Sequence, residues 1–175
     1  MIGGKYRSRL LRVPQRPGLR PTPDRVRETL FNWLGQELGG LACLDLFAGS
    51  GALGFEAASR GAARVVLVEK DRVALSGLER SRDALAASQV EIVRGDAHAF
   101  LKNPGARFDV VFLDPPFRQN ELPTILALLP PSLQPLARVY VEADAPVAAA
   151  PPWAELKQAR AGQVSYQLLQ WGGHD

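Results

Sequence analysis

Cysteine and histidine are nearly missing from this 175-residue chain: Cys43 stands alone, and His98 and His174 are the only histidines. A single cysteine excludes an internal disulfide, and the two histidines form no cluster with it at metal-ligand spacing. Metal chemistry and Ser/His triads are therefore poor starting points, and no metal is expected. Long apolar runs are missing as well. No stretch approaches the length that spans a bilayer, and the basic start Met1-Ile2-Gly3-Gly4-Lys5-Tyr6-Arg7 lacks the apolar run of a secretory signal. The expectation is a cytoplasmic protein with no membrane partner. Internal repeats and long low-complexity tracts are also absent.

What is present fits one ordinary globular domain. The length leaves no room for a second large one, and 46% apolar with 22% charged residues is a soluble balance. The formal charge of +3 hides an uneven distribution. Residues 1–35 carry Lys5, Arg7, Arg9, Arg12, Arg16, Arg20, Arg25 and Arg27 against Asp24 and Glu28, a net +6, which leaves −3 for residues 36–175. A basic arm over residues 1–22 precedes a mildly acidic body over residues 23–175.

Residues 2–22, rich in Arg, Pro and Gly, read as a short strand or hairpin followed by an extended loop. A helix follows, with Thr22 as N-cap and Pro23 at its first position; Val26, Leu30, Trp33, Leu34 and Leu38 recur at helical spacing until Gly39-Gly40. Thereafter short apolar runs (Ala42–Phe47, Arg64–Glu69, Val90–Arg94, Phe108–Asp114, Val139–Glu142) alternate with helical stretches (Gly51–Arg60, Arg72–Ala87, Asp96–Leu101, Glu121–Leu129). Strands apolar on both faces, alternating with helices, imply an α/β fold with a parallel sheet covered on both sides. The end breaks the rhythm: Trp153–Arg160 reads as helix or strand, and Gln163–Trp171 as a strand joined to it through Ala161-Gly162.

In such a sheet, ligands bind outside the carboxyl ends of the strands. The residues to inspect are Asp45 to Gly54, Glu69 to Asp71, Gly95-Asp96, Asp114 to Phe117, and Glu142 to Asp144. The first segment fits G-x-G-x-x-G between strand and helix, where glycines admit close backbone approach and aim amide N–H groups at a ligand. Glu69, 20 residues beyond Gly49, is placed to hold ribose hydroxyls. A tight turn with close helix packing would look similar, and so far a nicotinamide dinucleotide and S-adenosylmethionine are both allowed.

Charge separates them. Asp45, Glu69 and Asp96 should converge on the pocket, a field that disfavours a pyrophosphate and favours a ligand carrying a sulfonium and an ammonium. In that reading Asp45 faces the methionine end, Gly49 to Gly51 pack on methionine and ribose, Glu69 holds the diol and Asp96 accepts from the adenine amino group. Taken singly, Asp96 is equally suited to capping a helix.

The apolar strand ending in Asp114-Pro115-Pro116-Phe117 points to the reaction. The Asp114 carboxylate and the Pro115 carbonyl form a rigid acceptor pair for the two hydrogens of one exocyclic amino group, and Phe117 offers a ring to stack on the planar group that bears it. Such an amino group is a poor nucleophile because its lone pair is delocalised; acceptors on both N–H bonds favour pyramidal geometry.

Asp-Leu-Phe-Ala-Gly-Ser-Gly-Ala-Leu-Gly (45–54) with Asp-Pro-Pro-Phe (114–117) resembles the class I S-adenosylmethionine-dependent methyltransferases that act on planar amino nitrogens of adenine, guanine or glutamine. Two further segments narrow the resemblance. Ile2–Arg7 with Arg20–Leu34, and Ala161–Tyr166 near the end, are similar to the bacterial 16S rRNA guanine-N2 methyltransferases of the RsmD type. The resemblance implies a Rossmann-like, mostly parallel seven-stranded sheet with an antiparallel last strand, and methylation of one guanine of 16S rRNA within the assembled small ribosomal subunit. It also implies a cofactor-binding set of Asp45, Phe47, Ala48, Gly49, Ser50, Gly51, Glu69, Lys70, Asp96, Ala97 and Asp114. The catalytic set would be Asp114, Pro115, Pro116 and Phe117. Lys5, Arg7, Arg9, Arg12, Arg20 and Arg25 are the candidates for RNA contact, and a monomer is expected. The competing readings are DNA adenine-N6 or protein glutamine methylation, a nicotinamide-dependent oxidoreductase, and a non-catalytic RNA-binding protein. Cys43, Trp33, Tyr166 and Trp171 read as packing residues.

Overall fold

The structure is a computed structural model that describes residues 1–11, 22–116 and 118–173. The elements run α1 (Asp24–Leu34), β1 (Ala42–Asp45), α2 (Ala52–Ser59), β2 (Arg64–Glu69), α3 (Arg72–Leu85), β3 (Val90–Arg94), α4 (Ala97–Lys102), β4 (Phe108–Leu113) and α5 (Arg118–Leu128). A 3-10 turn (Pro130–Ser132), β5 (Leu133–Ala143), β6 (Trp153–Ala161) and β7 (Val164–Trp171) complete the chain. The seven strands form one sheet in the order β3-β2-β1-β4-β5-β7-β6. Strands β1 to β5 pair in parallel, and β7 runs antiparallel to both its neighbours. The Rossmann-like architecture with an antiparallel last strand is the one expected.

Alternation along the central strands divides the core in two. Cys43, Val65, Leu67, Val110, Phe112 and Tyr140 face α1, α2 and α3, whereas Leu44, Val66, Val68, Val111, Leu113, Val139 and Val141 face α4 and α5. Covering helices on both faces explain why these strands read as continuous apolar runs. The strand order reverses between β1 and β4, and the loops after those two strands therefore open on one crevice.

Several boundaries differ from expectation for identifiable reasons. Helix α1 stops at Leu34, not near Gly39, because Gly35 turns to φ +100° and Arg138 of β5 donates to the Leu34 carbonyl at 2.9 Å. Leu38 still reaches the core, but from the loop. Pro23 occupies the N-cap position with no side-chain bond, so Thr22 does not cap. Strand β5 begins at Leu133, six residues before Val139; an interruption at Leu136, at φ +60° and exposed, obscures its alternation. Helix α5 starts at Arg118, ahead of Glu121. Trp153–Ala161 is a strand, and the hairpin turns at Gly162-Gln163 with Gly162 at φ +60°.

The start of the chain forms neither a strand nor a hairpin within residues 1–11. Turns carry it along α2 instead. The amides of Ile2 and Gly3 donate to the Glu56 carboxylate at 2.9–3.2 Å, and the Tyr6 amide donates to Ser59 Oγ at 2.8 Å. Tyr6 is buried there, and Glu56 pairs with the equally buried Arg60 at 3.0 Å.

Candidate active site

The loop after β1 is shaped by two glycines in the left-handed region, Gly49 at φ +56° and Gly51 at φ +82°. At Gly51 a Cβ would lie 2.5 Å from the Phe55 ring and 2.8 Å from Leu78, so only glycine fits the approach of α2 to α3. The Ala48 amide donates to the Val68 carbonyl at 3.1 Å, and Ala48, Ser50 and Gly51 are buried while Phe47 and Gly49 are half-buried. Glu69, at the end of β2, accepts from the Gly49 amide at 3.1 Å and from the Asp71 amide at 3.2 Å. This carboxylate ties the glycine loop to the neighbouring strand end. Lys70 beside it is exposed.

Asp45 is the electrostatic centre of the crevice. It is 3% exposed, and its carboxyl is pushed up to about 7, first by burial and then by the Asp114 carboxylate, with Glu69 adding to the effect. Amide hydrogen bonds from Phe47 and Gly54 oppose the rise. Three carboxylates on different strands therefore share one field: Asp45 on β1, Glu69 on β2 and Asp114 just past β4. The half-buried Asp114 is followed by buried Pro115 and by Pro116 exposed in a turn. Phe117, Arg12 and Arg20 lie outside the described residues.

Asp96 follows β3 next to the end of β2, where the Gly95 amide donates to the Glu69 carbonyl at 3.0 Å. It caps α4, its Oδ1 accepting from the His98 and Ala99 amides at 2.9 and 3.3 Å, and half of its side chain is exposed; Ala97 behind it is buried. Asp114 acts on Asp45 together with Glu69. Lys5, Arg7, Arg9 and Arg25 are exposed, with Arg9 also donating to the Ala84 carbonyl at 2.7 Å. Tyr166 is buried and stacked on Trp33 at 5.5 Å, as packing requires. Cys43 is buried, its thiol pushed up to about 12 mainly by burial, which leaves it inert at neutral pH.

Sequence reasoning assigned no role to Glu142, although the strand-end rule had marked it. It is 5% exposed, and the Tyr140 hydroxyl donates to its Oε1 at 2.5 Å. Tyr140 is held in its neutral form by burial and by the adjacent Glu142 carboxylate.

The donor set suits a cationic ligand. A nucleotide pyrophosphate would meet the carboxylates of Asp45, Glu69 and Asp114, whereas a sulfonium and an ammonium gain from them. Comparison with known proteins agrees with that geometry. The family described as "Conserved hypothetical protein 95" matches residues 1–170. The curated Escherichia coli (strain K12) protein named "Ribosomal RNA small subunit methyltransferase D" is 45% identical over 97% of this chain and 88% of its own length.

The chain belongs to the ribosomal RNA small subunit methyltransferase D family.

The solved structure of the Escherichia coli protein yhhF superposes on this family member with a TM-score of 0.90, at 41% identity over 98% of this chain and 96% of the other. An RNA methyltransferase from Salinibacter ruber, solved with S-adenosyl-L-homocysteine, has a TM-score of 0.67 at 19% identity over 89% of this chain and 96% of its own, a likeness of fold alone. Among the described residues no group of three or more His, Cys, Asp or Glu side chains could hold a metal ion, and no helix is long and apolar enough to cross a membrane.

Proposed function

We propose that this methyltransferase transfers a methyl group from S-adenosylmethionine to the exocyclic N2 of a guanine in 16S rRNA, acting in the cytoplasm as a monomer on the assembled small ribosomal subunit. The observation that carries the reading is the convergence of Asp45, Glu69 and Asp114 on a glycine loop that leads into α2, next to the Asp114-Pro115-Pro116 turn. The curated Escherichia coli relative, named for the small subunit's ribosomal RNA, supports the substrate class.

In this reading residues 23–175 form the catalytic domain and residues 1–22 a basic arm. Asp45 faces the ammonium of the methionine moiety, Gly49 to Gly51 with Phe47 and Ala48 line its path, Glu69 holds the ribose diol with Lys70 alongside, and Asp96-Ala97 border the adenine. The cofactor, when bound, supplies an electrophilic methyl group on a sulfonium. Asp114 and the Pro115 carbonyl each accept one N–H of the guanine amino group, holding its lone pair free of the ring, and Phe117 stacks on the base. Methyl transfer would replace the carbon–sulfur bond with a carbon–nitrogen bond, leaving the cofactor as a neutral thioether and releasing one N2 proton to solvent. Lys5, Arg7, Arg9, Arg12, Arg20 and Arg25 neutralise backbone phosphates.

The test offers labelled S-adenosylmethionine with unmodified small subunits, naked 16S rRNA and DNA, followed by identification of the labelled nucleoside. The expected product is N2-methylguanosine, formed best on subunits; any other methylated nucleoside overturns the assignment.

A further inference from the structure

The described cations of the arm stand at the far end of the sheet from the crevice. Helices α2 and α3 begin past the carboxyl ends of β1 and β2 and run back to the start of the next strand. Tyr6 is tied to Ser59 at the close of α2, and Arg9 to the Ala84 carbonyl near the close of α3. Along the helix, Ala84 lies about 18 Å from Arg72 at the opposite end of α3. RNA that touches Lys5, Arg7 and Arg9 therefore needs a second hold close to the crevice.

One is present between α3 and the edge strand β3. A groove of about 420 Å³ is lined there by Arg72, Leu75, Ser76, Glu79, Ile92 and Arg94. The four α3 residues follow the spacing of one helix face, and Arg94 shares the α3 side of the sheet with Val90 and Ile92. Leu75 is buried and Ile92 half-buried, forming a floor, while Arg72, Ser76, Glu79 and Arg94 are exposed at the rim. Arg27, Arg60, Arg64 and Arg82 each have a carboxylate partner, whereas among the described residues neither Arg72 nor Arg94 has a hydrogen bond or an ion pair. Glu69 is in register with Arg94, yet its carboxylate turns to the Gly49 and Asp71 amides. Two guanidiniums thus stand at the crevice end of the groove, and its acid, Glu79, lies about 10 Å further along α3.

Resting on the rRNA reading above, we propose that this groove binds a nucleotide flanking the target base, its phosphate between Arg72 and Arg94 and its sugar and base against Leu75 and Ile92. Planar guanidiniums grip phosphate through paired N–H donors, and the Ser76 hydroxyl adds another donor. A nucleotide is anionic at one end and flat and apolar at the other, which matches the two halves of the groove. Glu79 disfavours a second phosphate deeper in, so the subsite fits one nucleotide and not a run of backbone. The strand order β3-β2-β1-β4 sets this edge three strand spacings, roughly 14 Å, from the β4 end that carries Asp114. The target base can then enter the crevice while a neighbour on the same RNA is held at the sheet edge.

The experiment compares wild-type protein with Arg72→Ala/Arg94→Ala in binding to naked 16S rRNA and to small subunits across a salt series, and in steady-state methylation. The double variant should keep its melting temperature and S-adenosylmethionine affinity. It should lose about 0.7–0.9 from the slope of log affinity against log salt on both forms of RNA, and raise KM about tenfold with kcat retained. Arg72→Lys/Arg94→Lys keeps the charges but not the paired donors, and should restore the slope and only part of the KM. An unchanged slope overturns the proposal. So does a loss confined to small subunits with naked rRNA binding intact, which would give the groove to a protein partner. Should the double alanine variant not fold, Ser76→Glu, at an exposed helix position, should weaken rRNA binding about tenfold; no loss there overturns the proposal equally. Wild-type protein that produces no N2-methylguanosine on unmodified small subunits defeats the underlying reading, whatever the variants do.

Discussion

Asp45 shows how one buried carboxyl couples ligand binding to pH. Its folded value, raised to about 7 from 3.8, means that the ligand-free protein takes up a proton that the unfolded chain has already released. The stability linked to Asp45 is therefore fully present below pH 3.8 and is lost as pH rises through about 7. A cationic ligand reverses the preference, because it favours the ionised form. S-adenosylmethionine affinity should then rise up to about tenfold per pH unit until pH 7 and level off above it, while Asp45→Asn should flatten the curve; calorimetric titration between pH 5 and 8 measures both. Asp114 belongs to the reaction more than to binding. Asp114→Asn, which places a donor where an acceptor is needed, should lower kcat by roughly 10²–10³-fold with the melting temperature retained and a smaller loss of cofactor affinity, a difference that single-turnover kinetics reads directly.

At the scale of elements, the glycine loop is the most constrained piece of the fold. Gly51→Ala introduces a left-handed alanine and a Cβ overlapping Phe55 and Leu78. A loss of about 2–4 kcal/mol is expected from the two effects together, seen as a lower urea midpoint with an unchanged slope. This loop was legible in the sequence because its glycines answer a local demand on the backbone. The β2 boundaries were legible for a related reason: helices on both sides of the sheet make its centre, Val65–Val68, an unbroken buried apolar run. The end of α1 was not, since a carbonyl held by Arg138 from 104 residues away decides it. Trp153–Ala161 was ambiguous because β6 is an exposed edge strand whose partner, β7, supplies most of the burial. Glu142 was visible as a strand-end acid, but its burial comes from β5 lying between β4 and β7, information no single segment contains.

At the scale of the whole molecule, the basic arm and the catalytic core are joined by a buried ion pair. Glu56 receives the Ile2 and Gly3 amides and the Arg60 guanidinium, which lies 4.8 Å from the centre of the Phe31 ring on α1. Glu56→Ala strands a buried arginine and should destabilise the fold by about 3–5 kcal/mol in chemical denaturation. Exposed Lys5 and Arg7 sit on the anchored segment without taking part in the buried pair. Replacing either with alanine should leave the melting temperature unchanged and reduce the slope of log affinity against log salt by about 0.7–0.9, measured by RNA binding across a salt series. The same anchor has a consequence for how the protein is made. Residues 2–6 have their partners at Glu56 and Ser59, more than fifty positions later. During synthesis residues 2–6 therefore emerge first yet have no partner until α2 has left the exit tunnel, so their docking trails their own emergence by some fifty residues of translation.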